Sequence, residues 1–345
     1  MATAEKKVLL INLGGPRDAS EIPKFLDDLF SDPLVFDLPL PEFLRIRLAK
    51  FIAKKRAPKV AETYASLNYG GGSPLVDETK KQANALAEEL TRRSGDTWQG
   101  KIAMACGYPD LRELPAEDLQ PSKDNVIVPL FPHYSRSTTL SVAALIQKNT
   151  GESPMDKVGW VGPFYYEGSY IEACEGIIMD YFRGTLKKED VAAFEPTNGI
   201  EDWQNLTIVY SAHGIPLRLI EKGDTYQKEI LAHSQILSER LRNKGFLGET
   251  YVSYQSKVGP AKWTTPSTIE MLQRLGKDGH KRIAVFPISF VSDHLETLEE
   301  IGEELQEIAK ENGVKEYYRI PAFGVYPKFI RSLANLVLQE SKGKK

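Results

Sequence analysis

His213 stands at the end of an apolar run, in the stretch IVYSAHGIPLRLIEKGDTY from Ile208 to Tyr226. Gly214 and Pro216 follow it, so the chain leaves an extended segment and cannot start a helix at once. Imidazole changes charge near neutral pH. At such a junction it can accept a proton, donate one or bind a first-row metal. In open α/β sheets, ligands bind beyond the carboxyl ends of the strands. A lone histidine there can equally satisfy a turn, so the chemistry depends on partners. The best partner is Ser292-Asp293-His294-Leu295-Glu296, which closes a second apolar run, Arg282 to Phe290. On a helix, Glu296, Glu300 and Glu304 form one acidic row, and Glu299, Glu303 and Glu307 a second beside it. Acidic rows are usually solvated faces. This one starts at a strand end beside a histidine, where a carboxylate can hold a divalent cation or pass protons, and crowding raises the pKa of its neighbours. Of the other histidines, His133 also follows a predicted strand, whereas His233 and His280 fall in polar helical segments and read as surface residues.

Several common chemistries are absent. No paired Cys or His ligands give the spacing of a structural zinc site, and no G-x-S-x-G elbow marks a hydrolase. Gly14-Gly15-Pro16 does not make a dinucleotide fingerprint. The NYGGGSP run, 68–74, lacks the Lys-Ser/Thr of a phosphate loop.

The elements that must position these residues alternate. Strands are expected at Val8–Leu13, Ile102–Cys106, Val126–Phe131, Val158–Tyr165, Leu206–Tyr210, Tyr251–Gln255, Arg282–Phe290 and Tyr318–Phe323. Helical patterns separate most of them, including Ser20–Phe30, Leu75–Leu90, Leu140–Gln147, Ser169–Phe182, Gln227–Arg242, Ser267–Arg274, Leu295–Lys310 and Lys328–Gln339. That alternation predicts an α/β protein of two Rossmann-like domains, each with a parallel sheet flanked by helices. The expected division is 1–160 joined by the C-terminal helix 327–345, and 161–326 carrying His213 and Glu296. IVPLFPHYSRSTT (127–139) and AVFPISFVSDHLETL (284–298) echo each other as strand, proline, hydroxyl-rich turn and helix start. This suggests two similar domains facing a cleft.

The chain has 345 residues, 41% hydrophobic and 26% charged, with net charge −3, so nothing global points to nucleic acid. Cys106 and Cys174 cannot form a disulfide framework or supply the four thiolates of an iron–sulfur cluster, which suits a cytoplasmic setting. The N-terminal apolar run is too short to span a bilayer and reads as a strand. Residues 34–59 mix Leu38, Leu40, Phe43, Leu44, Ile46, Leu48, Phe51 and Ile52 with Arg45, Arg47, Lys50, Lys54, Lys55, Arg56 and Lys59. Such a helix either buries its apolar side or lies in a membrane interface.

The stretch around His213 resembles the signature of the ferrochelatase family. The resemblance extends through INLGGP (11–16), FIAKKRAPKV (51–60), GGGSP (70–74), YSRSTT (134–139), QSKVGPAKW (255–263) and PISFVSDHLETLEE (287–300), and runs from about Val8 to Leu338. It implies insertion of Fe²⁺ into protoporphyrin IX with release of two protons, the last step of haem biosynthesis, in a cleft between the domains. Iron is then a substrate, and no permanently bound cofactor or iron–sulfur cluster is expected. His213 and Glu296 would be the catalytic and metal-binding residues, and Asp293, His294, Glu300 and Glu304 a proton or metal path. Leu13, Pro16, Ser73, Tyr134 and Trp263 would contact the porphyrin. Residues 38–56 would form the pocket lip and touch the inner face of the cell membrane. A monomer is expected. One departure stands out: where bacterial members commonly carry Met-Arg-Tyr-Gly, this chain reads Met104-Ala105-Cys106-Gly107, which puts the usual contacts to the substrate's polar edge in doubt. Arg17 after Pro16, where the coproporphyrin type tends to have Tyr, leans towards protoporphyrin. Coproporphyrin III as substrate, a cobalt or sirohydrochlorin chelatase, and a non-catalytic porphyrin carrier are the alternatives. Retention of His213 and Glu296 argues against the carrier.

Overall fold

The computed structural model describes residues 5–37, 40–67, 69, 71–191, 193–257, 259 and 261–343. Leu38 of the basic segment, Asn68 and Gly70 of the glycine run, and Val258 and Pro260 of the QSKVGPAKW motif lie outside the described residues. The chain divides into two compact units, Met1–Pro163 with Leu333–Lys345, and Phe164–Ser332.

In the first unit, β1 (Glu5–Asn12) is the central strand. Its continuous run Val8–Ile11 is at most 1% exposed, as a strand covered on both faces requires. Helix α1 (Ile22–Ser31) follows, then α2 (Glu42–Ser66) and α3 (Leu75–Ser94). Helix α3 buries Leu75, Val76, Thr79, Gln82, Ala83, Leu86, Ala87 and Leu90, a stripe at three- and four-residue spacing, and ends at left-handed Gly95. Strands β2 (Thr97–Met104) and β3 (Asn125–Pro129) flank β1 in the parallel order β2-β1-β3, with Leu10 opposite Ile102 and Val128. Helix α4 (Ser141–Thr150) completes this part.

The second unit holds α5 (Gly168–Arg183), β4 (Thr207–His213), α6 (Leu217–Glu221), α7 (Tyr226–Arg242), β5 (Thr250–Gln255), α8 (Thr268–Lys277), β6 (Arg282–Phe286), α9 (Leu305–Glu311) and β7 (Glu316–Arg319). Helix α10 (Pro327–Lys342) is the last element. The sheet is parallel with order β5-β4-β6-β7, so β4 is placed as β1 is in the first unit. Ser267 and Glu270 form a reciprocal capping box that fixes the start of α8. Val209, Met271, Leu272, Leu275, Ile283, Val285, Ile301 and Leu305 pack together beneath the sheet. The α/β class with two parallel, helix-flanked sheets is therefore as expected.

Four details differ from the sequence expectation. Val158–Tyr165 does not form a strand. Only Trp160 bridges Ile127, because Gly159 is left-handed (φ 91°) and Pro163 removes a donor. The final strand starts and stops earlier than Tyr318–Phe323: after Ile320 N–H bonds the Val285 carbonyl, Pro321 cannot continue the ladder. His233 is not a surface residue. It is fully buried on α7, 3.5 Å from Cys174 Sγ, and burial pushes its imidazole down to about 3. His280 is half-buried, its Nδ1 2.8 Å from Thr207 Oγ1.

The sequence echo has a structural counterpart. After β3 the chain turns and enters a π-helix, Arg136–Leu140, and after β6 it turns and enters another, Glu296–Glu304. Such i→i+5 segments are rare and concentrate at functional sites.

Candidate active site

In the order β5-β4-β6, the chain runs from β4 to β5 on one side and then crosses back to β6 on the other. The crevice beyond the carboxyl ends of β4 and β6 is the switch point where such sheets bind ligands. His213 is the last residue of β4. Its backbone N–H donates to Ser289 Oγ (3.1 Å), from the turn after β6. Its Nδ1 lies 2.6 Å from the Gly214 carbonyl. A carbonyl only accepts, so that contact places the proton on Nδ1 and leaves Nε2 as the basic nitrogen. Nε2 is 3.7 Å from Glu296 Oε1, and the His213 side chain is 38% exposed. Phe290 stands edge-on to the ring.

Glu296 opens the π-helix. Its second oxygen lies 3.7 Å from His294 Nε2. Burial pushes this carboxyl up, but His213, His294 and Ser256 together outweigh burial and hold it down at about 2. Glu296 is therefore an anion. Glu300 differs: burial raises it, bonds from Ser256 oppose that, and Glu296 adds to the rise. Glu299 is also raised, by burial first and then by Glu304, Glu300 and Glu303. Neighbouring carboxyls are thus driven to opposite sides of the ordinary range, the arrangement that separates proton donors from acceptors.

The supports of this arrangement come from the end of β5. Gln255 Nε2 donates to the Glu296 carbonyl (3.0 Å) and to Glu300 Oε2 (3.2 Å), while its amide oxygen accepts from Ser211 Oγ (2.6 Å). Ser256 donates to Glu300 through both its backbone N–H (2.8 Å) and its hydroxyl (2.5 Å). It does so in the left-handed region, φ 63°, which a non-glycine residue holds only at a cost of about 1–3 kcal/mol. Sequence reasoning quoted this motif but gave no role to Gln255, Ser256, Ser289 or Ser211. Paired polar residues at a strand end were the available signal.

Not every candidate joins the pair. Asp293 Oδ1 takes bonds from Thr297 Oγ1 (2.7 Å), Arg319 Nη1 (3.1 Å) and the Ala322 N–H (3.4 Å), so it ties the π-helix start to the segment after β7. Glu304 is exposed. Trp263 bridges Pro216 in the loop after His213, and its indole Nε1 is buried without a hydrogen-bond partner among the described residues. In the first unit, half-buried Leu13 accepts the Cys106 N–H at its carbonyl (2.8 Å), and buried Pro16 accepts the Ser73 N–H (2.7 Å). Tyr134 is half-buried before Ser135, which caps the first π-helix. Ala105 and Cys106 are 4% and 2% exposed, and burial pushes the Cys106 thiol up. Among the described residues no three His, Cys, Asp or Glu side chains stand together as a metal cluster.

A basic imidazole nitrogen facing an anionic carboxylate, at the switch point of a parallel sheet in an α/β protein, can take a proton and attract a cation. The ferrochelatase family profile matches residues 5–341. The chain is 54% identical over 341 residues to a ferrochelatase of Leptospira borgpetersenii serovar Hardjo-bovis (strain JB197), covering 99% of this chain and 93% of the relative. It is 52% identical over 337 residues to that of Leptospira biflexa serovar Patoc (strain Patoc 1 / Ames), covering 98% and 92%. Ferrochelatase-1, chloroplastic/mitochondrial, of Arabidopsis thaliana is 37% identical over 339 residues, covering 96% and 69%. The chain belongs to the ferrochelatase family, lyases that insert iron into a porphyrin.

Proposed function

We propose that this ferrochelatase takes protoporphyrin IX as its porphyrin, and that His213 and Glu296 carry the reaction. The observation that supports these roles is the 3.7 Å approach of His213 Nε2 to Glu296 Oε1, with the His213 proton committed to Nδ1. Inserting Fe²⁺ into a free-base porphyrin forms iron–nitrogen bonds and releases two pyrrole protons. Nε2 of His213 has a lone pair to accept one of them. The imidazolium so formed is stabilised by anionic Glu296, and such assistance contributes about 10²–10⁴-fold. Glu296 also attracts the incoming cation. Glu300, raised by burial, is the next group able to hold a proton and is fixed by Ser256 and Gln255. Trp263, Ser73, Tyr134, Leu13 and Pro16 are assigned to holding the macrocycle.

Anaerobic iron insertion, followed by loss of free-base porphyrin absorbance, tests this reading with protoporphyrin IX and coproporphyrin III side by side. Faster turnover of coproporphyrin III would overturn the substrate assignment. Full activity of His213→Ala would overturn the residue roles.

We further assign α2 to peripheral contact with an anionic membrane surface. Over its first half the helix buries Arg45, Ala49 and Ala53, one turn apart, and leaves Phe43, Leu44 and Phe51 exposed. Phe43 and Phe51 are 61% and 64% exposed, beside exposed Arg47, Lys50, Lys54 and Lys55. No helix among the described residues is long and apolar enough to cross a membrane. Sedimentation with vesicles rich in phosphatidylserine tests the assignment: Phe43→Ser with Phe51→Ser should abolish binding. Retention of binding would refute it.

A further inference from the structure

The loops that follow β1 and β2 close on each other in the first unit. The Cys106 N–H bonds the Leu13 carbonyl at 2.8 Å. A side chain at Gly14 would put its Cβ 1.9 Å from the Cys106 carbonyl oxygen, and one at Gly107 would meet the Gly15 carbonyl at 3.2 Å. Gly107 is fixed from behind, its N–H held by Asp28 Oδ2 (3.1 Å), which also pairs with Arg112. The glycine run adds a third strand of backbone, since a Cβ at Gly72 would lie 2.1 Å from the Arg17 carbonyl oxygen. This packing leaves no route outward for Ala105 and Cys106. It does set two other side chains face to face on the surface. The Arg17 guanidinium lies 4.6 Å from the centre of the Tyr108 ring, and Tyr108 is 46% exposed. Glu21 fixes one edge of that guanidinium, accepting from Nε at 2.8 Å and from Nη2, and also takes the Arg17 backbone N–H. Nη1 has no partner among the described residues. The outcome is a cation oriented by a carboxylate and an aromatic face, with donor capacity unspent, at the carboxyl end of the central strand.

We propose that Arg17, stacked on Tyr108, is the residue that binds a carboxylate of the porphyrin in this chain and thereby sets its selectivity for acidic porphyrins. The inference rests on the porphyrin reading given above. It explains how a chain with alanine and cysteine buried at positions 105 and 106 still presents a cation to the acidic edge of its substrate. Tyr108 backs the guanidinium with its ring, and Glu21 leaves the outer edge for the ligand. Arg17 here is a binding residue with no part in proton transfer, so its loss acts on KM.

The test is steady-state iron insertion by wild type, Arg17→Met and Arg17→Lys, with protoporphyrin IX and with its dimethyl ester in neutral detergent. A charge-assisted bond of this kind corresponds to about a tenfold or larger change in affinity. Arg17→Met should raise KM for the diacid about tenfold, with kcat altered by less than about twofold, and leave KM for the ester unchanged. Arg17→Lys, which keeps the charge without the planar fork, should fall between. An unchanged KM for the diacid in Arg17→Met, or an equal rise for diacid and ester, would overturn the inference while the wild-type activity upheld the porphyrin reading. A wild-type protein that inserts iron into neither compound would remove the porphyrin reading itself, and this inference with it.

Discussion

The titration of Glu296 is the most direct measure of how the site works. His213→Ala deletes the imidazole 3.7 Å from Glu296 Oε1 and changes no residue of the π-helix. After burial, which raises it, His213 is the largest influence on this carboxyl and lowers it. At that separation, Coulomb's law gives about 1 kcal/mol in a water-like dielectric of ~80 and about 4.5 kcal/mol at an effective ~20. Both side chains are partly open to solvent, at 38% and 28%, so the effect lies inside that range. It corresponds to about 1–3 pKa units. Burial opposes ionisation of Glu296, so without His213 the carboxyl should climb from about 2 towards the ordinary carboxylate range, with His294 and Ser256 still holding it down in part. The assay is a pH titration of the Glu296 carboxylate by difference infrared spectroscopy, with Glu296→Gln identifying the band. An upward displacement of one unit or more is expected. The same midpoint in wild type and His213→Ala would refute the account of how Glu296 is kept anionic. In parallel, iron insertion by His213→Ala should fall by about 10²-fold or more.

Three further outcomes follow from the same geometry. Glu296 has a folded pKa of about 2 against an ordinary 4.5, so its contribution to stability is present above about pH 4.5 and drains away as pH falls through 2. Urea unfolding should therefore show Glu296→Gln losing about 2 kcal/mol less than wild type between pH 7 and pH 3, and parallel losses would contradict this. Gly14→Ala places a methyl group 1.9 Å from the Cys106 carbonyl oxygen at φ 99°, and should destabilise the fold by about 2–4 kcal/mol in the same assay. Ile301 is fully buried in the π-helix against Val209 and Val285; Ile301→Ala should cost about 2–5 kcal/mol, visible as a lower midpoint of thermal unfolding.

The chain's periodicity exposed most of the architecture because parallel strands covered on both faces leave uninterrupted apolar runs, as at Val8–Ile11 and Ile208–Val209. It misled at Val158–Tyr165, where glycine and proline outweighed the apolar composition. His233 was misread because its neighbours on α7 are polar, while the imidazole itself faces Cys174 in the interior. His213 and Glu296 were legible as candidates from their positions after apolar runs. Their 3.7 Å approach was not, since it depends on the register of β4 beside β6 and on the turn from Pro287 to Leu295. The left-handed Ser256 was hidden for a similar reason: its conformation is imposed by Glu300 and by the end of β5, and no residue type announces it.

The acidic row that opens the π-helix does not behave as one face. In an α-helix, residues four apart lie one above the other, and Glu296, Glu300 and Glu304 would form a column of like charge facing one environment. In the π-helix Glu296–Glu304 they stand in different surroundings. Glu296 meets His213 and His294, Glu300 meets Ser256 and Gln255, and Glu304 is exposed. Three carboxyls of identical chemistry thereby acquire three surroundings. The first is held strongly acidic and the second is raised. On the proposed proton route, the second carboxyl therefore holds a proton more readily than the first, and the difference comes from the groups around each one rather than from the choice of side chain.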